Sequence, residues 1–206
     1  MNKRLQVFKY VVADFLSASL AWTLFFMYRK YAVDHEVFSK PGEIFLDRNL
    51  YYGVTLIPLY WLSLYTLIGT YRKIFRKARL REFAQTTLMT LIGVTILFFT
   101  LILDDVIRNQ HTYLEFFVIL LLLHLFFTGL FRFLLTSSTA SKIQKKTIGF
   151  NTIIIGSNGN AVSIFEEIEN QEKSSGNKFI GFINVEDYSQ YKLAESIPHL
   201  GGLQDL

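Results

Sequence analysis

Long apolar stretches alternate with short charged ones over the first two-thirds of the chain, and the pattern then breaks. A helix needs roughly 20 mostly apolar residues to cross the hydrocarbon core of a bilayer. Four segments reach that length: Val7 to Met27, Leu50 to Thr70, Phe83 to Leu103 and Thr112 to Leu135. The pattern therefore predicts four transmembrane helices. Tyr51, Tyr52, Trp61, Tyr65 and Tyr71 in or beside the second, and Tyr113 at the start of the fourth, suit the belts in which amphipathic rings sit at headgroup level. Pro58 is expected to kink the second span, a break that neighbouring helices accommodate. The charged start and apolar run of "MNKRLQVFKYVVADFLSASLAWTLFFMYRK" resemble a signal peptide, but the run is too long and more spans follow, so it reads as an anchor that stays.

After the polar stretch "TSSTASKIQKKTIGF" the period changes. "TIII" is a short β-branched run, expected to be a strand buried on both faces. Ala161, Ile164, Phe165 and Ile168 then recur at helical spacing, while Glu166, Glu167, Glu169 and Glu172 take the wet positions. "SSGN" breaks the helix, "KFIGFI" reads as a second strand, and "SIPHLGGLQDL" as a short third strand followed by the beginning of another helix. Strand, turn, helix, strand is the first unit of a doubly wound α/β fold. The expected architecture is thus an α-helical membrane bundle of four transmembrane helices over 1–140, a linker over 141–150, and a partial Rossmann-like α/β domain over 151–206. So short a tail falls short of a complete doubly wound domain, and the sequence reads as a fragment or a truncated product.

Composition agrees: 51% of residues are hydrophobic and mean hydropathy is +0.30, too apolar for an ordinary soluble domain, which excludes a soluble dehydrogenase. The net charge of +4 averages two unlike regions. Up to Lys146 there are 18 Lys/Arg against 9 Asp/Glu, and afterwards 3 against 8. The excess base belongs to the membrane part, so the high pI is no argument for nucleic acid. Lys3, Arg4, Lys9, then Arg72, Lys73, Arg76, Lys77, Arg79 and Arg81, then Arg132, Lys142, Lys145 and Lys146 fall on one side of the bilayer. The other side carries Arg29, Lys30, Lys40, Arg48 and Arg108, mixed with acids. Both termini are expected to be cytoplasmic. The basic linker "YRKIFRKARLREF" would contact anionic headgroups, at about 1 kcal/mol per charge near the surface; a functional alternative is that it helps hold a polyprenyl phosphate. A pump or channel is disfavoured by so few intramembrane charges.

The absence of cysteine excludes disulfides, thiolate nucleophiles and Cys-based zinc sites, and four scattered histidines form no visible metal cluster. Among intramembrane polar residues, Asp14 lies about one turn inside the first span, within reach of Lys9 or another nearby base. His124, mid-span, is expected to be a neutral, hydrogen-bonded packing residue facing other helices. The region of Gly129 offers a close helix contact. Asp104 and Asp105 could chelate Mg²⁺, but their outward placement favours an ordinary solvated helix end.

In the tail, "GSNGNA" invites the fingerprint G-x-G-x-x-G, in which the glycines make a tight turn, admit phosphate and allow close helix packing. The register keeps Gly156, puts Asn158 at the second position and Ala161 at the third, with Gly159 between. Asn158 sets a Cβ where pyrophosphate would approach, and the second strand ends in Asn184 rather than a ribose-binding carboxylate, with Glu186 and Asp187 just beyond. A structural or regulatory relic is favoured over retained nucleotide binding. The candidate nucleotide site is Gly156, Ser157, Asn158, Gly159 and Asn160, with the backbone N–H groups of Ser157 to Asn160 as donors.

Taken in order, the four spans, "LIGTYRKIFRKARLREF", "NTIIIGSNGNAVSIFEEIEN", "GNKFIGFINVED" and "IPHLGGLQDL" resemble the N-terminal half of bacterial polyprenyl-phosphate sugar-1-phosphate transferases, the undecaprenyl-phosphate glucose or galactose phosphotransferases that initiate exopolysaccharide and O-antigen synthesis. The resemblance implies a CoA-binding-type Rossmann-like domain. It also implies a separate C-terminal catalytic domain, using an Asp/Glu pair and Mg²⁺, that this sequence does not contain; no catalytic residue and no metal ligand is therefore assigned here. It further implies a bacterial inner-membrane location, undecaprenyl phosphate as a partner beside the lipid bilayer, and a homo-oligomer. Two rivals share parts of the pattern: the N-terminal half of a membrane-bound nucleotide-sugar dehydratase or epimerase, and a non-catalytic organiser of polysaccharide assembly.

Overall fold

The computed structural model describes residues 3–33, 47–72, 79–102, 110–185 and 191–205. The chain divides into two compact units, Asn2–Ser137 and Ser138–Leu206.

The first unit is helical. It holds α1 (Lys3–Val33), α2 (Arg48–Leu67), α3 (Arg79–Leu97, closed by a π-helical turn Phe98–Ile102) and most of α4 (Gln110–Gln144). Among the described residues, three helical segments are long and apolar enough to cross a membrane: Arg4–Tyr31, Leu80–Thr100 and Tyr113–Gln144. The second expected span does form a helix of 20 residues, but Tyr51, Tyr52, Tyr60, Tyr65, Trp61 and Pro58 dilute its hydropathy, and it is not among those three. Helix ends overrun the expected spans. α1 continues past Met27, α3 starts inside the basic linker, and α4 runs through "TSSTASKIQ", where the sequence predicts a polar linker. Once nucleated, a helix gains one hydrogen bond per added residue, and nothing in that stretch breaks it. α4 stops at a reversal in which Lys146 takes a left-handed φ of 56° and its N–H reaches Ile143 O at 3.0 Å.

The core of this unit is aromatic: Trp22 and Phe25 of α1, Trp61 and Tyr65 of α2 and Phe116 of α4 pack with Ile57, Val94 and Leu120. Two glycines make this possible. A Cβ at Gly53 would fall within the Trp22 indole, and one at Gly93 within the Trp61 ring. Gly129, expected at a close helix contact, is not at one: a Cβ there would meet no atom within 4 Å. α2 runs through buried Pro58, whose missing N–H frees the carbonyl of Val54. Ser19 Oγ of α1 donates to that carbonyl at 3.4 Å, the kind of neighbouring-helix repair expected for a proline within a span.

The second unit holds a three-stranded, all-parallel sheet of β1 (Phe150–Ile155), β2 (Asn177–Asn184) and β3 (His199–Gly202), in the order β1-β2-β3. The third expected strand is present; a 3₁₀ turn, Leu203–Asp205, follows it. Thr152 pairs with Phe179, Ile154 with Phe182, and Phe182 with His199. α5 (Gly159–Glu169) lies on one face, packing Ala161, Val162 and Phe165 on Ile154, Phe179 and Phe182, with Leu193 and Ile197 closing the end. β1 is therefore not buried on both faces. Its burial alternates, leaving Ile153 and Ile155 exposed on the face that α5 does not cover. Within α5, Ile164 is exposed and Val162 takes the inward place, because the stripe runs 161, 162, 165. At the other end of the sheet Gly176, with φ of 89°, sits against Ile143 of α4 and Phe150, and Lys146 Nζ reaches both the carboxylate and the backbone carbonyl of Glu169 at the end of α5.

Candidate functional site

The glycine turn sits between β1 and α5, as its pattern predicts. Gly156 adopts φ of 116°, a conformation side chains disfavour, and its N–H donates to Ile183 O at 2.8 Å, tying the turn to β2. Asn158 has ordinary extended backbone (φ −79°, ψ 177°) and is the N-cap of α5: its Oδ1 accepts from Ala161 N at 3.1 Å. The Ala161 N–H, in the first turn of the helix, is thus satisfied within the chain. Gly159 and Asn160 open the helix, with no atom within 4 Å of a Cβ placed on Gly159. Ala161 is buried against the strands, which its small side chain permits. Ser157 is buried, and its Oγ has no hydrogen-bond partner among the described residues.

Asn184, at the position where a ribose-binding acid would stand, is buried and engaged: His199 Nε2 lies 2.9 Å from its Oδ1. His199 in turn packs on Phe182 and Tyr191, with ring centroids 5.0 and 4.9 Å apart. Glu186, Asp187, Asp104 and Asp105 lie outside the described residues, as do residues 73–78 of the basic linker.

The denser concentration of chemistry is inside the helical unit. Asp14 of α1 and Arg132 of α4 are each 1% exposed and form a two-point ion pair, Nε to Oδ1 at 2.8 Å and Nη2 to Oδ2 at 2.9 Å. Tyr71, just past α2, donates to Oδ2 at 2.7 Å. Arg132 Nη1 donates to Thr86 Oγ1 of α3 at 3.1 Å and stands 3.9 Å from the carboxylate of buried Glu82. Its guanidinium lies over the Tyr65 ring, 4.0 Å from the centroid. All four helical segments of this unit, or the chain beside them, therefore contribute to one polar knot.

His124 extends the knot. It is fully buried and stacks on Trp61 at 3.7 Å and 15°, while its Nε2 lies 3.0 Å from the Tyr65 hydroxyl and 3.2 Å from that of Thr128. Ser17 links Thr128 (3.2 Å) to the backbone carbonyl of Asp14, and the Tyr10 hydroxyl meets Thr136 at 2.7 Å. His124 is the hydrogen-bonded packing residue the sequence suggests. Asp14 does not turn to Lys9 on its own helix; its base comes from α4. The charge pattern groups Arg132 with the cytoplasmic loop cations, although it lies within the fourth expected span. An acid and a base near the same end of two spans was the available signal. Near a bilayer core, burying either charge alone is expensive, so each predicts the other.

Chemically the knot is a closed structure. Asp14 and Arg132 satisfy each other, and Tyr71 and Thr86 take up flanking positions, which suits holding helices in register rather than turning over a substrate. Among the described residues no group of three or more His, Asp or Glu is placed to hold a metal ion. Comparison of the chain with protein-family models, with curated proteins and with solved structures finds no match.

Proposed function

We propose that this chain is the membrane-anchoring and scaffold portion of an enzyme of the polyprenyl-phosphate sugar-1-phosphate transferase type, with four spans in a bacterial inner membrane, both ends cytoplasmic and no catalytic residue of its own. The observation that carries the reading is that Asp14, Arg132, Asn158 and Asn184 are engaged with partners inside the chain. Arg132 is held by Asp14, the helix cap of α5 by Asn158, and Asn184 by His199. That is the pattern of a fold maintained for shape. α2 counts as a span in this reading because it packs into the same core as α1 and α4, even though its own sequence is less apolar. The tail is read as a Rossmann-like relic. A sheet in which β2 lies between β1 and β3 matches the first three strands of the common dinucleotide-binding order, while Asn158 stands where a phosphate-admitting glycine would be.

The test uses the chain purified in detergent, given undecaprenyl phosphate, Mg²⁺ and radiolabelled nucleotide sugars. No lipid-linked sugar phosphate should form, and equilibrium dialysis against NADH, UDP-glucose and coenzyme A should show no saturable binding. Turnover by this chain alone would overturn the non-catalytic reading, and stoichiometric nucleotide binding lost on a Gly156→Val change would overturn the relic reading.

A further inference from the structure

β1 lies at one edge of the parallel sheet, and among the described residues no strand pairs with its far side. The N–H groups of Phe150, at the start of β1, and of Gly156, just past its end, both point to β2, donating to Gly176 O at 2.7 Å and to Ile183 O at 2.8 Å. Successive residues of a strand direct their backbone groups to opposite sides. Asn151, Ile153 and Ile155 therefore present N–H and C=O to the open edge, and their side chains are exposed on the sheet face that α5 leaves bare.

An unpaired edge is a template for another strand unless something blunts it. The opposite edge is blunted: β3 has four residues, and the Asp205 carboxylate turns back to accept from Gly202 N at 2.8 Å. β1, "FNTIII", carries no such device. It holds no proline and no charged side chain, and the extra residue at its register shift belongs to β2, where Ile180 is passed over between Phe179 and Gly181.

We propose that β1 pairs along this edge with β1 of a second copy of the chain, antiparallel about a twofold axis at Ile153. The inference rests on the reading of the helical unit as embedded in a bilayer. Copies held in one membrane carry the same strand at the same height and meet in two dimensions, which raises their effective concentration over that of a soluble partner. Self-pairing also fits the strand. With the axis at Ile153, that residue faces its own copy and Asn151 faces Ile155, so every outward-pointing residue of β1 exchanges both backbone bonds. An axis moved by one residue either way leaves Ile155 or Asn151 without a strand partner. Ile153 and Ile155 of the two copies then cover one another as cross-strand neighbours on the bare face.

The experiment exploits the absence of cysteine. Asn151→Cys, Ile153→Cys and Ile155→Cys are expressed singly in the full chain, membranes are isolated by flotation and oxidised with copper phenanthroline, and products are read on non-reducing gels and by mass spectrometry. Directly opposed Cα atoms in such a pair lie about 5.5 Å apart, within disulfide reach. Identical residues at 151 or at 155 lie more than about 13 Å apart, four residues along the strand. Ile153→Cys should therefore cross-link to itself, whereas Asn151→Cys and Ile155→Cys should cross-link when co-expressed and not when expressed alone. Adding Ile153→Lys to the co-expressed pair should lower the yield about fivefold, the scale of one like-charged cross-strand pair, with thermal unfolding unchanged. Equal cross-linking of all three single variants, which marks chance collision, would overturn the proposal. So would no cross-linking at all, or a product of any mass other than two chains, which gives the edge to a different strand. Each of these leaves the membrane reading intact; failure of the chain to float with the membranes would overturn both.

Discussion

Removing the guanidinium of Arg132 would strand the Asp14 carboxylate in the helical core with Tyr71 as its remaining side-chain partner among the described residues, and breaking one partner of a buried pair typically costs about 3–5 kcal/mol. Arg132→Met alone should therefore lower thermal stability in detergent steeply. The double change Asp14→Leu with Arg132→Met should recover much of the loss, since two apolar groups need no partners. Equal instability of single and double variants would mean the pair does not hold the helices. Three glycines give a second residue-level contrast. Gly53→Ala and Gly93→Ala drive a methyl group into Trp22 and Trp61 and should each cost on the order of 1–3 kcal/mol or more, whereas Gly129→Ala should be neutral; a melting series on the three variants decides it. The sequence marks Gly129 because it interrupts an apolar run, yet the tight contacts fall at Gly53 and Gly93. Whether a glycine is crowded depends on which side chain faces it from another helix, and no pattern along one helix contains that. Asp14 and His124 were legible because polar atoms are costly where they sit. Arg132 was not, because a base near a helix end has a simpler explanation in the loop.

Elements were legible in kind more than in extent. All four long helices and the strand, helix, strand, strand order follow from periodicity, while helix ends overran because Thr, Ser and Lys stop being turn formers once a helix already runs through them. The expected burial of β1 on both faces failed for a different reason: a β-branched run signals a strand but does not say whether a second layer covers it. At the start of α2, Asp47 caps the helix by accepting from Asn49 N at 2.9 Å and pairs with Lys30 Nζ at 2.8 Å. The ion pair with Lys30 chiefly, and the Asn49 N–H, hold its carboxyl below the usual carboxylate range. A depressed carboxyl contributes stability that is present above its unfolded pKa, about 3.9, and is lost as pH falls through the lowered folded value. Asp47→Asn keeps a capping oxygen but no charge. Wild type should exceed it in melting temperature at pH 6, and the gap should close below about pH 4; a gap independent of pH would rule out the charge as its origin. In the tail, Asn158→Ala removes the cap of α5 and should cost about 1 kcal/mol, read as faster amide hydrogen exchange in Ala161 and the residues after it.

For the molecule as a whole, the change in period and the change in charge along the sequence coincide near Lys146, whereas the two compact units of the structure divide at Ser137 and Ser138. What the polar groups do was not readable, since it depends on contacts across more than a hundred residues, as between Asp14 and Arg132. In the proposed topology four helices cross the bilayer and the tail lies on the inner side, and α2 is the helix on which this turns, being long enough to span but less apolar than the other three. The absence of cysteine makes single-cysteine variants clean reporters. Asn49→Cys at the start of α2, Arg72→Cys five residues past its end, and Ser174→Cys in the tail should be probed in intact cells with a membrane-impermeant maleimide. Labelling at position 49 with protection at positions 72 and 174 until the cells are opened is the expected result; the same accessibility at 49 and 72, or labelling of 174 from outside, would contradict it.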